Sequence, residues 1–154
     1  MKKCCVVGLG YIGLPTSIIA ASNGFEVIGV DTNLKVIDDL NRGKIHIAEP
    51  NLQESFNQLI KKNVFKAQSQ PSNADIFIIA VPTPFKKNSE KVPTPDISYI
   101  LDAIKSIIPF LKKDNLVILE STSPVGTTEK ISEIIFNESN LNKNNLKIAY
   151  CPER

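Results

Sequence analysis

Metal-binding residues are scarce in this chain. Its 154 residues include one histidine, His46, and three cysteines, Cys4, Cys5 and Cys151. No second cysteine or histidine cluster stands near any of them, so no metal site is expected. His46 lies in a loop-like segment, residues 43–50. It reads as a packing or surface residue and is poorly placed as a general base. Cys4 and Cys5 are neighbours in a predicted buried strand and should point to opposite faces. An odd count without framework spacing points to a reducing, cytoplasmic setting. Long apolar runs are missing too, since none reaches the ~18 residues that would span a bilayer. Lys2-Lys3 ahead of apolar residues faintly resembles a signal peptide. Glycines interrupt that stretch, however, and it carries a motif that belongs to the fold. Neither sign of charge dominates: 18 basic residues face 16 acidic ones, for a net charge of +2. Both signs are spread along the chain, which removes the case for nucleic acid or an anionic membrane surface as partner. The lysine pairs at 61–62, 86–87 and 112–113 read as solvated surface. There is no solenoid-type repeat and no long disordered linker.

What the chain does have is one domain's worth of core, with 42% apolar residues. It also has a glycine motif in a defined setting. Lys2-Lys3-Cys4-Cys5-Val6-Val7 reads as a short buried strand that runs into Gly8-Leu9-Gly10-Tyr11-Ile12-Gly13. A helical stretch follows from Tyr11 to about Asn23, then a strand ending at the acid Asp31. Gly8 allows the tight turn, Gly10 lets a diphosphate approach the backbone, and Gly13 lets the helix pack on the strand. The amides and dipole at the helix start favour an anion. Asp31 is suited to both hydroxyls of an adenosine ribose and opposes a 2′-phosphate, so NAD is expected rather than NADP. Glycine-rich turns are common, and the weight rests on strand, glycines, helix, strand and acid standing in order.

Strands and helices alternate along the rest of the chain, which predicts an α/β fold. The expected form is a Rossmann-type, doubly wound, mainly parallel six-stranded sheet with helices on both faces. Strands are expected near 3–8, 26–31, 64–67, 75–81, 115–120 and 146–150. A helix near 33–42 should stop at Asn41-Arg42-Gly43, and another spans 51–63 with Asn51 as a candidate N-cap. The continuous apolar run at 75–81 suits a central parallel strand, ended by the prolines of Pro82-Thr83-Pro84. Asp96 is placed to cap a helix bearing Ile97, Ile100, Leu101, Ile104, Ile107, Ile108 and Leu111, whose last turn Pro109 should kink or shorten. Residues 121–128 form a turn into a helix near 128–138. Ligands bind beyond the carboxyl ends of strands in such sheets. Segments 8–13, 81–84, 120–127 and 151–154 should therefore converge on one crevice.

Read together, five stretches form an ordered set: Gly8-Leu9-Gly10-Tyr11-Ile12-Gly13-Leu14-Pro15, Val30-Asp31, Val81-Pro82-Thr83-Pro84, Glu120-Ser121-Thr122-Ser123-Pro124-Val125-Gly126-Thr127 and Tyr150-Cys151-Pro152-Glu153-Arg154. The set resembles the nucleotide-sugar 6-dehydrogenases, the UDP-glucose/GDP-mannose dehydrogenase family, over the whole chain and in the family's order. Residues 41–52, Val81-Pro82-Thr83-Pro84-Phe85-Lys86 and the Cys-Pro-Glu-Arg ending narrow the resemblance to members acting on UDP-N-acetyl-D-mannosamine. UDP-N-acetylglucosamine and UDP-glucose remain alternative substrates.

The resemblance implies a Rossmann NAD-binding domain over 1–154 and a UDP-sugar as substrate. Such enzymes oxidise a C6 hydroxymethyl to a carboxylate with two NAD+, through an aldehyde, a thiohemiacetal on a cysteine and a thioester. The nucleophilic cysteine, with its lysine and asparagine, is expected beyond residue 154, along with a central helical region and a C-terminal UDP-binding domain. A cytoplasmic homodimer or higher oligomer that makes surface-polysaccharide precursors is implied for the whole enzyme. By motif, Gly10, Tyr11 and Ile12 offer amides to the diphosphate, and Asp31 binds the ribose. Val81 and Thr83 lie against the cofactor. Thr122 orders water near the reacting carbon, and Glu153 is the general base of thioester hydrolysis. Gly8, Gly13 and Thr122 complete the expected cofactor site.

One departure is Val36, where some relatives carry a basic residue, with Lys35 one place earlier. Blander readings stand beside these roles. Thr122 also fits a helix cap or turn former, and Glu153 also fits an exposed carboxylate. Glu49, before Pro50, fits a proline turn as well as a cofactor contact. Cys151 reads as a packing residue, because nothing near it in sequence would depress its pKa. The chain alone also fits a non-catalytic nucleotide-binding module. A short-chain dehydrogenase does not fit, since no Tyr-x-x-x-Lys pair is present.

Overall fold

The computed structural model of the chain describes residues 1–86 and 93–152. Six strands form one parallel sheet: β1 (Lys3–Val7), β2 (Glu26–Val30), β3 (Phe65–Gln68), β4 (Ile76–Ile79), β5 (Asn115–Leu119) and β6 (Leu146–Tyr150). Their order across the sheet is β3-β2-β1-β4-β5-β6. The chain therefore winds outward twice from the centre, and the reversal of direction falls between β1 and β4. Every strand pair is parallel, with Val6 beside Gly29 on one side of β1 and beside Ile78 on the other.

Strand alternation builds two cores. Cys4 and Val6 face one, with Leu14 and Ile18 of α1 (Gly13–Ser22), Ile37 and Leu40 of α2 (Leu34–Asn41), and Phe56 and Leu59 of α3 (Leu52–Lys61). Cys5 and Val7 face the other, with Ile100, Ile104 and Ile107 of α4 (Ser98–Ile107), and Ile131 and Ile135 of α5 (Thr127–Glu138). Period-two alternation in β1 sends the two adjacent cysteines to opposite faces, as expected. The doubly wound α/β fold read from the sequence is the fold observed.

The element ends differ in instructive ways. The first helix starts at Gly13 and not at Tyr11, because residues 11–12 are still part of the turn. Asn51 stands at the N-cap position of α3 in the left-handed region, φ 63°, and its side chain makes no cap bond. A capping side chain needs extended backbone to reach the amides ahead of it. The preceding loop is held by Gln53, whose amide donates to the Gly43 carbonyl at 2.7 Å and accepts from the Ile45 amide at 3.2 Å. Asp96 stands one residue ahead of the N-cap position of α4, which Ile97 occupies without a side-chain cap, and accepts from Ser98 N at 2.9 Å from there. That bond holds the Asp96 carboxyl below its ordinary range. Pro109 ends α4 at Ile107 and turns Ile108–Phe110 into a short 3₁₀ segment.

All three thiols are free, with Cys4 and Cys5 buried and Cys151 exposed. Burial pushes the Cys4 thiol up to about 12 and the Cys5 thiol up to about 11, from an ordinary 9.0. An aromatic disulfide reagent should therefore titrate only Cys151 in the folded chain and all three cysteines in denaturant. Rapid reaction of two or three thiols without denaturant would contradict the buried placement. The raised values set the sign of the pH dependence. Both thiols contribute full stability below pH 9, and the contribution is lost as pH rises from 9 through the folded values near 11 and 12. Replacing both cysteines by alanine should flatten that alkaline slope in denaturant melts.

Candidate functional site

The turn after β1 is shaped by its glycines. Gly8 adopts φ +95° and donates to the Val30 carbonyl at 2.8 Å, which closes the turn against β2. A Cβ on Gly8 would meet the Ala80 carbonyl oxygen at 2.6 Å, and one on Gly13 would lie 1.8 Å from the Gly8 carbonyl oxygen. No side chain fits at Gly13, so α1 comes down directly on the turn and on Ala80. Gly10 differs, because a Cβ there would meet nothing within 4 Å. Its open side faces a cleft. No side chain caps the first turn of α1, which leaves that helix N-terminus to an external anion.

Asp31, directly after β2, clamps the turn. One carboxylate oxygen accepts from Leu9 N at 3.0 Å and the other from Asn33 N at 2.8 Å. A carboxylate has about four acceptor sites, so two such bonds leave capacity for a ligand's hydroxyls.

Across the switch point, the ends of β4 and β5 are stitched together. Thr83 Oγ1 donates to the Thr122 carbonyl at 2.7 Å, and Ser121 Oγ donates to the Val81 carbonyl at 2.7 Å. Thr16 of α1 donates to Glu120 Oε1 at 2.8 Å, which ties the helix to the end of β5. The resulting cleft measures about 900 Å³, within the size range of small-molecule and cofactor sites.

Gly8, Gly10, Tyr11, Ile12, Asp31, Val81, Thr83 and Thr122 all line this cleft. Gly13 does not line it, being buried beneath the turn that it supports. Of the four segments expected to converge, 8–13, 81–84 and 120–127 contribute to the lining. Cys151 and Pro152 do not, which corrects that part of the expectation. Cys151 continues the edge ladder by donating to the Leu119 carbonyl at 2.9 Å. Since β6 is the edge strand, its end falls two strands away from the switch point. Glu153 lies outside the described residues. His46 is exposed and stands apart from the cleft, and no metal-type cluster occurs among the described residues.

Sequence reasoning missed the Thr16 bond to Glu120 and two lining segments, the turn at 69–71 and one face of α4 with Tyr99, Asp102 and Ser106. The α4 residues carried a readable signal, because residues 99, 102 and 106 recur at helical spacing beside the apolar stripe of Ile100, Ile104 and Ile107. The Thr16–Glu120 pair spans 104 residues and had no local signal. The described lining holds Asp31, Asp102 and Glu120 but no lysine, arginine or histidine.

The glycines generate a graded prediction. Gly13→Ala should destabilise the chain by about 3 kcal/mol or more, because backbone, and not a flexible side chain, is in the way. Gly10→Ala should leave the melting temperature within about 2 °C and place a methyl in the cleft, a contrast that thermal denaturation of the two variants would test.

Comparison with known proteins gives a consistent picture. The family model described as "UDP-glucose/GDP-mannose dehydrogenase family, NAD binding domain" matches residues 2–154. UDP-N-acetyl-D-mannosamine dehydrogenase of Campylobacter jejuni is 50% identical over 161 aligned positions, covering 99% of this chain and 39% of that protein. NDP-N-acetyl-D-galactosaminuronic acid dehydrogenase of Ralstonia nicotianae is 45% identical, covering 99% of this chain and 37% of that protein. A solved structure of the UDP-N-acetyl-mannosamine dehydrogenase of Staphylococcus aureus superposes with TM-score 0.93 at 42% identity, over 99% of this chain and 36% of that one. The chain thus spans less than two fifths of the length of each. The family resemblance drawn from the motifs is borne out. The fold, the glycine turn and the match from residue 2 onward place this chain in the UDP-glucose/GDP-mannose dehydrogenase family, as its NAD binding domain.

Proposed function

We propose that this chain is the cofactor-binding part of an NAD-dependent UDP-sugar 6-dehydrogenase that oxidises the C6 hydroxymethyl of UDP-N-acetyl-D-mannosamine to a carboxylate. The observation that carries the reading is the cleft itself. Gly10 is open on one side, an uncapped helix N-terminus stands over it, and the Asp31 carboxylate lines it beside the turn. Bound there, NAD+ supplies the hydride acceptor. The amides of Gly10, Tyr11 and Ile12 hold the diphosphate, and the glycines at 8 and 13 let them approach. Asp31 accepts from the ribose hydroxyls, while Val81 and Thr83 wall the middle of the cofactor. Thr122 orders water beside the reacting carbon. Glu153 acts as general base when the product is released. In the whole protein the remaining parts supply the nucleophilic cysteine, bind the UDP moiety and build a homodimer or higher oligomer.

Electrostatics support NAD over NADP. Two unit charges about 4 Å apart repel by about 4 kcal/mol at the effective dielectric of a protein surface. A helix N-terminus returns about 0.3–1 kcal/mol, and up to about 2 in favourable geometry. With no basic side chain on the described lining, a 2′-phosphate beside Asp31 would keep most of that repulsion.

UDP-N-acetyl-D-mannosamine is favoured by the 50% identity to the Campylobacter enzyme. The 45% identity to the Ralstonia enzyme supports a second reading, the same chemistry on a different N-acetylated sugar. Three free cysteines support a cytoplasmic setting. No helix among the described residues is long and apolar enough to cross a membrane. A role in surface-polysaccharide precursor synthesis follows from the proposed product.

Calorimetric titration of the chain should show NAD+ binding without turnover. Asp31→Ala should weaken it roughly ten-fold or more, as loss of hydrogen bonds to a charged acceptor does, and NADP+ should not bind at matched concentration. A demonstrably folded chain that ignores NAD+ would sink the cofactor reading. In the whole protein, Glu153→Gln should lower kcat by about 10²-fold or more with NAD+ affinity unchanged. Unaltered turnover would remove Glu153 from the proposed mechanism.

A further inference from the structure

Beyond Asp31 the cleft continues between two walls. One is the turn after β3, where Ser69, Gln70 and Pro71 line the space. It is tied down by the Gln68 side chain, which donates to the Gln70 carbonyl at 2.6 Å and to Ser72 Oγ at 3.3 Å. The other wall is α4. Tyr99, Asp102, Ala103 and Ser106 stand on one face at helical spacing and line the cleft. The adjoining face of the same helix is spent on the core, with Ile100, Ile104 and Ile107 all 0% exposed. Val30 closes the floor.

The chemistry of this end is uneven in a useful way. Val30, Pro71 and Ala103 present apolar surface to the faces of a flat ring. The Ser106 hydroxyl already donates to the Ala103 carbonyl at 2.7 Å. Asp102 is exposed on the cleft side, and an ionised carboxylate accepts hydrogen bonds but donates none. A ring seated here therefore meets an acceptor at its edge and gains by offering a donor. Asp31, next along the cleft, is the proposed ribose-binding group, so the ring attached to that ribose is the one that reaches α4.

We propose that Asp102 reads the adenine base of the dinucleotide by accepting a hydrogen bond from its exocyclic amine, with Val30, Pro71 and Ala103 holding the ring. The inference rests on the NAD reading above and adds a base-specificity residue to it. Its sharp consequence concerns hypoxanthine, in which a carbonyl oxygen replaces that amine and the neighbouring ring nitrogen gains a proton. Held against the exocyclic position, Asp102 would then face an acceptor with an acceptor.

The test is calorimetric titration of this chain with NAD+ and with nicotinamide hypoxanthine dinucleotide, in the wild type, Asp102→Asn and Asp102→Ala. The wild type should bind NAD+ about ten-fold tighter, the scale of one hydrogen bond to a charged acceptor at a solvent-facing site. Asp102→Asn should bring the two within about three-fold or reverse them, since an amide can donate to the carbonyl. Asp102→Ala should weaken NAD+ and bind the hypoxanthine dinucleotide as well as or better than the wild type does. Binding of either ligand by the variants is its own control for folding. A preference that is absent in the wild type, or that survives unchanged in both variants, overturns the assignment of Asp102 and leaves the cofactor site standing. Failure of the wild type to bind either dinucleotide overturns the cofactor reading and this inference together.

Discussion

The contact between α1 and the turn after β1 is the constraint on which the site depends. A Cβ at Gly13 would stand 1.8 Å from the Gly8 carbonyl oxygen and 3.0 Å from the Ala80 side chain. Only the bare backbone of a glycine lets the helix descend that far. Its descent has three consequences. The N-terminus of α1 stands over the switch point between β1 and β4. Leu9 is drawn into the core beneath the turn, where it is 0% exposed. Thr16, one turn further along, comes within 2.8 Å of Glu120 at the end of β5. Helix, turn and two strand ends are thereby locked into one unit by a single close approach.

Among the described residues, hydrogen bonds hold the resulting cleft together. Thr83, Ser121 and Asp31 each bond to backbone across the chain. Such bonds contribute about 0.5–1.5 kcal/mol apiece when neutral and about 1.5–3 when one partner is charged. They hold the strand ends in register with little strength in any one of them. The acidic lining adds a second consequence. An anion entering the cleft meets backbone amides and a helix dipole and no cationic side chain on the described wall. A diphosphate bound there, as proposed, would be recognised through backbone geometry, in keeping with the glycines of the turn and a described lining without lysine.

Legibility varied with the range of the interaction. The glycine turn, the acid after β2, and the alternation that sends Cys4 and Cys5 to opposite cores all rest on neighbours within a few residues or on strand periodicity, and all were readable. Pro109 was readable for the same reason, because its ring obstructs the helix locally. Asn51 misled, since residue type suggested a cap while the loop before α3 needed a left-handed corner there. Segment 151–152 misled differently. Its motif implied proximity to the others, but edge position in the sheet carried its described residues away from the cleft. The cleft-facing side of α4 was passed over because an apolar stripe invites attention to the core and not to the residues between.

The amino-acid sequence by itself determined the order of elements, the doubly wound class, the nucleotide turn and the family. Each of these is encoded in local pattern: period two in strands, wider stripes in helices, and glycine where a side chain cannot stand. Tertiary structure alone decided which distant groups meet. The Thr16–Glu120 bond spans 104 residues and the Thr83–Thr122 bond 39, and nothing local in either partner names the other. Whether a residue lines the cleft, as Asp102 does, or lies beneath it, as Gly13 does, depends on how helices settle on the sheet. That settling is a sum of packing terms over the whole core, which no short stretch of sequence contains.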